Sequence, residues 1–97
     1  MFCLLDLLNP IDYYLSDPFP NPFNPSVNIM LKQKNTSRVK LAVYDIKGRE
    51  LTMLFNGVLI TGKSSFTWNA SIYPTGIYFI KAISGSQTQV RKVQLLK

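Results

Sequence analysis

From residue 27 onward, apolar and polar residues alternate. Val27, Ile29 and Leu31 are interleaved with Asn28, Met30 and Lys32. A period of two is the mark of a strand with one buried face. Val39, Leu41 and Val43 repeat it against Arg38, Lys40 and Ala42, after a polar turn at Asn35-Thr36-Ser37. Asp45-Ile46-Lys47-Gly48 closes a hairpin, with Gly48 at the left-handed position of a type I turn plus bulge. Leu51, Met53 and Phe55 then alternate with Glu50 and Thr52, and Asn56-Gly57 predicts a tight turn. The short apolar patch Val58-Leu59-Ile60 leads to Gly62. Ser65–Asn69 is a further strand with Phe66 and Trp68 on one face, so Trp68 is expected in the core.

Tyr73-Pro74-Thr75-Gly76 predicts a turn, with Tyr73 the more exposed ring. Ile77–Ile83 is apolar on both faces and is expected at the centre of a sheet. Gly85-Ser86 turns the chain into a last strand, Thr88–Leu96. There the apolar phase slips between Val90 and the pair Val93 and Leu95, which predicts a bulge near Arg91-Lys92. No stretch after residue 15 has a period of 3.6. The pattern predicts an all-β, immunoglobulin-like antiparallel sandwich of about seven strands.

Upstream, the pattern breaks. Asp17–Ser26 holds four of the six prolines, which exclude a helix. Asn21-Pro22 and Asn24-Pro25 are turn initiators, and Phe19 and Phe23 are expected to dock on the core. Composition divides the chain into a lead-in, 1–16, and one folded domain, 17–97; a chain of 97 residues has room for one domain. Met1–Leu8 has no basic n-region and is broken by Asp6, so it is a poor signal peptide. A start there suggests a piece of a longer protein or a gene remnant.

Charge and chemistry narrow the function. Asp6, Asp12 and Asp17 precede every base, so residues 18–97 set all 11 Lys and Arg against Asp45 and Glu50 alone. The bases are scattered along the strands with no visible stripe, which argues against nucleic acid. There is no histidine and only Cys3, so imidazole chemistry, a Cys/His metal cluster and an internal disulfide are excluded. Asp45 and Glu50 flank a tight turn, where Asp caps backbone N–H groups; they do not form a catalytic pair. The chain is expected to be no enzyme, with no cofactor and no membrane-inserted segment.

Three motifs carry a resemblance. They are Asn21-Pro22-Phe23-Asn24-Pro25-Ser26; Val43-Tyr44-Asp45-Ile46-Lys47-Gly48-Arg49-Glu50-Leu51; and Pro74-Thr75-Gly76-Ile77-Tyr78-Phe79 with the basic-apolar ending Arg91–Lys97. In this order the chain, over about residues 13–97, resembles the type A C-terminal sorting domain of the bacterial type IX secretion system. The resemblance implies a domain borne by an exported cargo. An outer-membrane translocon recognises it, and a surface sortase removes it and attaches or releases the cargo. The cargo would reach the cell surface or medium through the periplasm, using a signal peptide that is not found here. Gly76, Tyr78, Lys92 and Lys97 match the family's recognition positions. Asn21, Pro22, Asn24, Pro25, Tyr44, Asp45 and Gly48 match its structural motifs. Gly76 is expected to take a positive φ, the last strand to offer an edge for β-augmentation, and cleavage to fall near residues 9–17. Two other readings compete: a structural module like that of flagellar hook-capping proteins, and a carbohydrate-binding module with coplanar exposed rings.

Overall fold

A computed structural model describes residues 13–85 and 87–97. The expectations for Met1–Leu8, for Ser86 and for a cleavage bond at 9–12 fall outside the described residues. Seven strands are formed: β1 (Tyr13–Leu15), β2 (Ser26–Gln33), β3 (Ser37–Tyr44), β4 (Glu50–Leu59), β5 (Gly62–Asn69), β6 (Gly76–Ser84) and β7 (Gln87–Leu95). They build two antiparallel sheets. The smaller has the order β1-β2-β5 and the larger β4-β3-β6-β7. The predicted all-β sandwich is the observed fold.

The alternation determines what lies between the sheets. Val27, Ile29 and Leu31 from β2, and Val39, Leu41 and Val43 from β3, are fully buried, as are Ile80, Ala82, Val93 and Leu95. Trp68 sits among them at 3% exposure. Truncating such a ring to Ala costs about 3–5 kcal/mol, a large share of the about 5–15 kcal/mol that holds a domain together. β6, apolar on both faces, lies between β3 and β7 as its pattern requires.

Asn56-Gly57 is not a turn. β4 runs through it, pairing Asn56 with Lys40 and Gly57 with Val39. The Phe55 ring covers Gly57, and a Cβ built there would lie 3.3 Å from Phe55 Cζ. The glycine makes room for a ring inside a strand. The chain turns at Ile60-Thr61, and β4 and β5 fall in different sheets, so Gly62 (φ 126°) marks a sheet-crossing corner and not a hairpin.

The predicted bulge in the last strand is also absent. β6 and β7 keep one register from Gly76↔Leu95 to Ser84↔Gln87. The apolar phase slips because Gln89 and Arg91 take inward positions. Gln89 Oε1 accepts the Leu15 N–H at 2.8 Å, and Arg91 stands 3.3 Å from Asp17 and over the Tyr14 ring. The bulges lie in β4 instead, where the register shifts twice against β3. They turn Met53 outward, half exposed, and bring Leu51, Leu54 and Phe55 onto the core. Bulges on an edge strand also discourage a second strand from adding.

Tyr13–Leu15, which composition placed in the lead-in, pairs with β2 and buries Leu15 completely.

Candidate functional site

The turn of the second motif is built as its sequence suggests. Asp45 Oδ1 accepts the N–H groups of Lys47 and Arg49, each at 2.9 Å, and Oδ2 meets Arg49 Nε at 2.9 Å. Gly48 takes the left-handed conformation (φ 83°) that the turn needs. The Arg49 N–H, with help from its guanidinium and from the Lys47 N–H, holds the Asp45 carboxyl below its ordinary pKa against some desolvation. Glu50 is likewise lowered, chiefly by the hydrogen bond from Lys40 at 2.7 Å, which in turn raises Lys40. Both carboxylates are engaged in folding contacts. Among the described residues no three groups cluster to hold a metal.

The third motif shapes the chain around Tyr78. Its ring is buried, edge-on to Trp68 at 5.3 Å, and its hydroxyl donates to the carbonyl of Pro74, four residues upstream. A tyrosine tied back across a sandwich corner fixes the entry of a central strand. Burial raises the Tyr78 pKa, so the hydroxyl keeps its proton and remains a donor. Tyr73, expected at the surface, packs on Trp68 and Tyr78 and donates to the Leu51 carbonyl at 3.4 Å. These rings form a core cluster with Phe23. They are not a row of coplanar exposed rings on which a sugar could stack.

Gly76 departs from expectation. Its φ is not positive, and a Cβ built on it would meet nothing within 4 Å. The fold makes no demand for glycine there.

The first motif works as a strap. Phe19 exchanges both backbone hydrogen bonds with Asn28 of β2, and Ser16 N–H donates to the Met30 carbonyl. The chain then crosses to β7. Asn21 does not close a turn on its own backbone. Its side-chain amide donates to the Lys92 carbonyl at 3.1 Å, and its Oδ1 accepts the Gln94 N–H at 3.0 Å. Phe23 N–H donates to the Gln94 carbonyl, and the Leu96 N–H donates to the Phe23 carbonyl. The outer edge of β7 from the Lys92 carbonyl to the Leu96 N–H is therefore occupied by the chain's own strap. The expectation that this edge stands open to a partner strand is corrected for that stretch. Phe23 docks as expected, 2% exposed and 5.5 Å from Trp68, while Phe19 stays half exposed.

The fold thus draws the motifs to one end of the sandwich. Asn21 meets the backbone of Lys92, Phe79 pairs with both Tyr44 and Lys92, and Gly76 pairs with Leu95. Lys97 donates its N–H to Thr75 Oγ1 and its ammonium to the Ser71 carbonyl. Lys92 and Lys97 are exposed.

A family model described as the secretion system C-terminal sorting domain matches residues 18–95. The chain belongs to that family. Members are type IX secretion sorting signals and not catalytic domains, and they mark a cargo that the machinery sends to the cell surface or medium. Among solved structures, the sorting domain is similar to part of dimeric latent PorU from Porphyromonas gingivalis, with a TM-score of 0.60 at 14% identity. That match covers 89% of this chain and 10% of the PorU chain, and at such identity it is a likeness of fold. A search of curated proteins found no match.

Proposed function

We propose that this sorting domain is read by the outer-membrane type IX translocon at the end of the sandwich where the three motifs meet. A surface sortase then cuts the linker before the domain and attaches the cargo to surface lipopolysaccharide or releases it. The observation that carries the reading is Gly76. It lies beside the exposed Lys97 turn and pairs with the strapped strand β7, yet neither backbone strain nor crowding requires a glycine there. A bare backbone with open space around it suits close approach by a partner. In this reading Gly76, Lys92 and Lys97 touch the translocon. The buried Tyr78 positions the corner that presents them.

The test is a Gly76→Leu variant of the domain, fused to an exported reporter in a bacterium carrying the machinery. Unaltered melting with a loss of surface delivery is expected. Delivery equal to that of the parent fusion would remove Gly76 from the recognition surface.

A further inference from the structure

The outer faces of the two sheets differ in their number of cations. The smaller sheet turns Asn28, Met30, Lys32, Lys63, Ser65 and Thr67 outward, with Tyr14 beside Lys32 and Lys32 opposite Lys63; its strands present two cations. The larger sheet interleaves cations with apolar side chains. Its register sets Arg38 beside Val58, Lys40 beside Ile83, Lys81 between Ala42 and Val90, and Lys92 beside Phe79. Val58 and Val90 are 59% and 42% exposed. Lys81 holds its ammonium 4.4 Å from the centre of the Tyr44 ring. Among the described residues of this face Glu50 is the one acid, and it is taken by Lys40. The four cations are scattered along the sequence; strand pairing gathers them.

We infer that the outer face of the larger sheet docks on an anionic lipid surface. Its charge complements phosphate headgroups, and its pattern distinguishes a lipid surface from a protein partner. A protein interface collects apolar residues into a core ringed by polar ones. Here cations and apolar groups alternate from strand to strand. A headgroup layer accommodates that arrangement: lysine stems lie along apolar surface with their ammoniums on phosphate, and rings settle at the same level. Docking would hold an arriving cargo in the plane of the membrane; Lys92, which borders the strapped end, exchanges headgroups for the translocon when Gly76 and Lys97 are read.

The test is co-sedimentation of the full 97-residue chain with phosphatidylcholine vesicles, with and without phosphatidylglycerol. Binding to the anionic vesicles alone, weakening as salt rises, is expected. Arg38→Glu with Lys81→Glu should lower the partition at least about tenfold, because each base near an anionic surface contributes to binding. Lys32→Glu with Lys63→Glu makes the same change in net charge on the other sheet and should cost no more than about threefold, being turned away from the lipid. Val58→Ser with Val90→Ser should also weaken binding. Circular dichroism verifies that every variant is folded. Absence of binding to anionic vesicles, equal losses from the two charge pairs, or unchanged binding by the Val58/Val90 pair would each overturn the inference.

Discussion

At the scale of single residues, the two positions of the glycine–tyrosine element separate by what surrounds them. The Tyr78 side chain is held by its neighbours, whereas Gly76 is held through its backbone alone, with open space where a side chain would stand. Tyr78→Phe removes one hydrogen bond and leaves the Pro74 carbonyl without its donor, a loss of about 1 kcal/mol. In a domain of this size that lowers the melting temperature by about 4–8 °C; a calorimetric scan showing no change would discount the corner. Asp45 leads to a prediction in pH. Its folded pKa lies below the unfolded one, so its share of stability is complete above the unfolded value of about 3.9 and is lost as pH falls through the folded value. Asp45→Asn should therefore flatten the acid limb of stability below about pH 4, and urea melts at successive pH values measure it. The roles of Asp45, Gly48 and Trp68 were legible in sequence because turn chemistry and alternation act locally. The φ of Gly76 was not, since a Pro-Thr-Gly turn is compatible with more than one backbone path.

At the scale of elements, alternation located β2, β3, β5 and β6 because each buries one strict face or both. It misjudged β4, where two bulges reset the phase and a ring over Gly57 disguises strand as turn. It also misjudged β7, where inward Gln89 and Arg91 find polar partners from the lead-in, Leu15 and Asp17. Those partners are more than seventy residues away, so no local pattern could announce them. The strap is the largest element that the sequence concealed. Its prolines excluded helix but did not say where the chain would lie. The structure predicts that Asn21→Ala exposes the Gln94 amide and leaves the Leu96 amide, held by the Phe23 carbonyl, protected. Hydrogen exchange reads both amides, and a Gln94 amide as slow as in the parent would contradict the strap's role at that edge.

At the scale of the whole molecule, a single chain folds its lead-in across both sheets and closes one side of the sandwich. Ser16 and Phe19 seal β2, and Asn21 and Phe23 seal β7. That closure guards the edges against unwanted strand addition and gathers the three motifs at one end. The fold class was legible because six strand patterns, evenly spaced by turns, leave little else to build. The sorting role was legible through the order of the motifs, not through any reactive group. The grouping of Arg38, Lys40, Lys81 and Lys92 on one face was hidden, because it exists only once β3, β6 and β7 are in register. The measurement that bears most directly on the central claim is localisation. Residues 13–97 are fused behind a reporter with an export signal and expressed in a bacterium with the type IX machinery and in its translocon-deficient counterpart. Delivery to the surface or medium in the first and retention in the periplasm of the second are predicted. Periplasmic retention of a folded fusion in both strains would contradict the account.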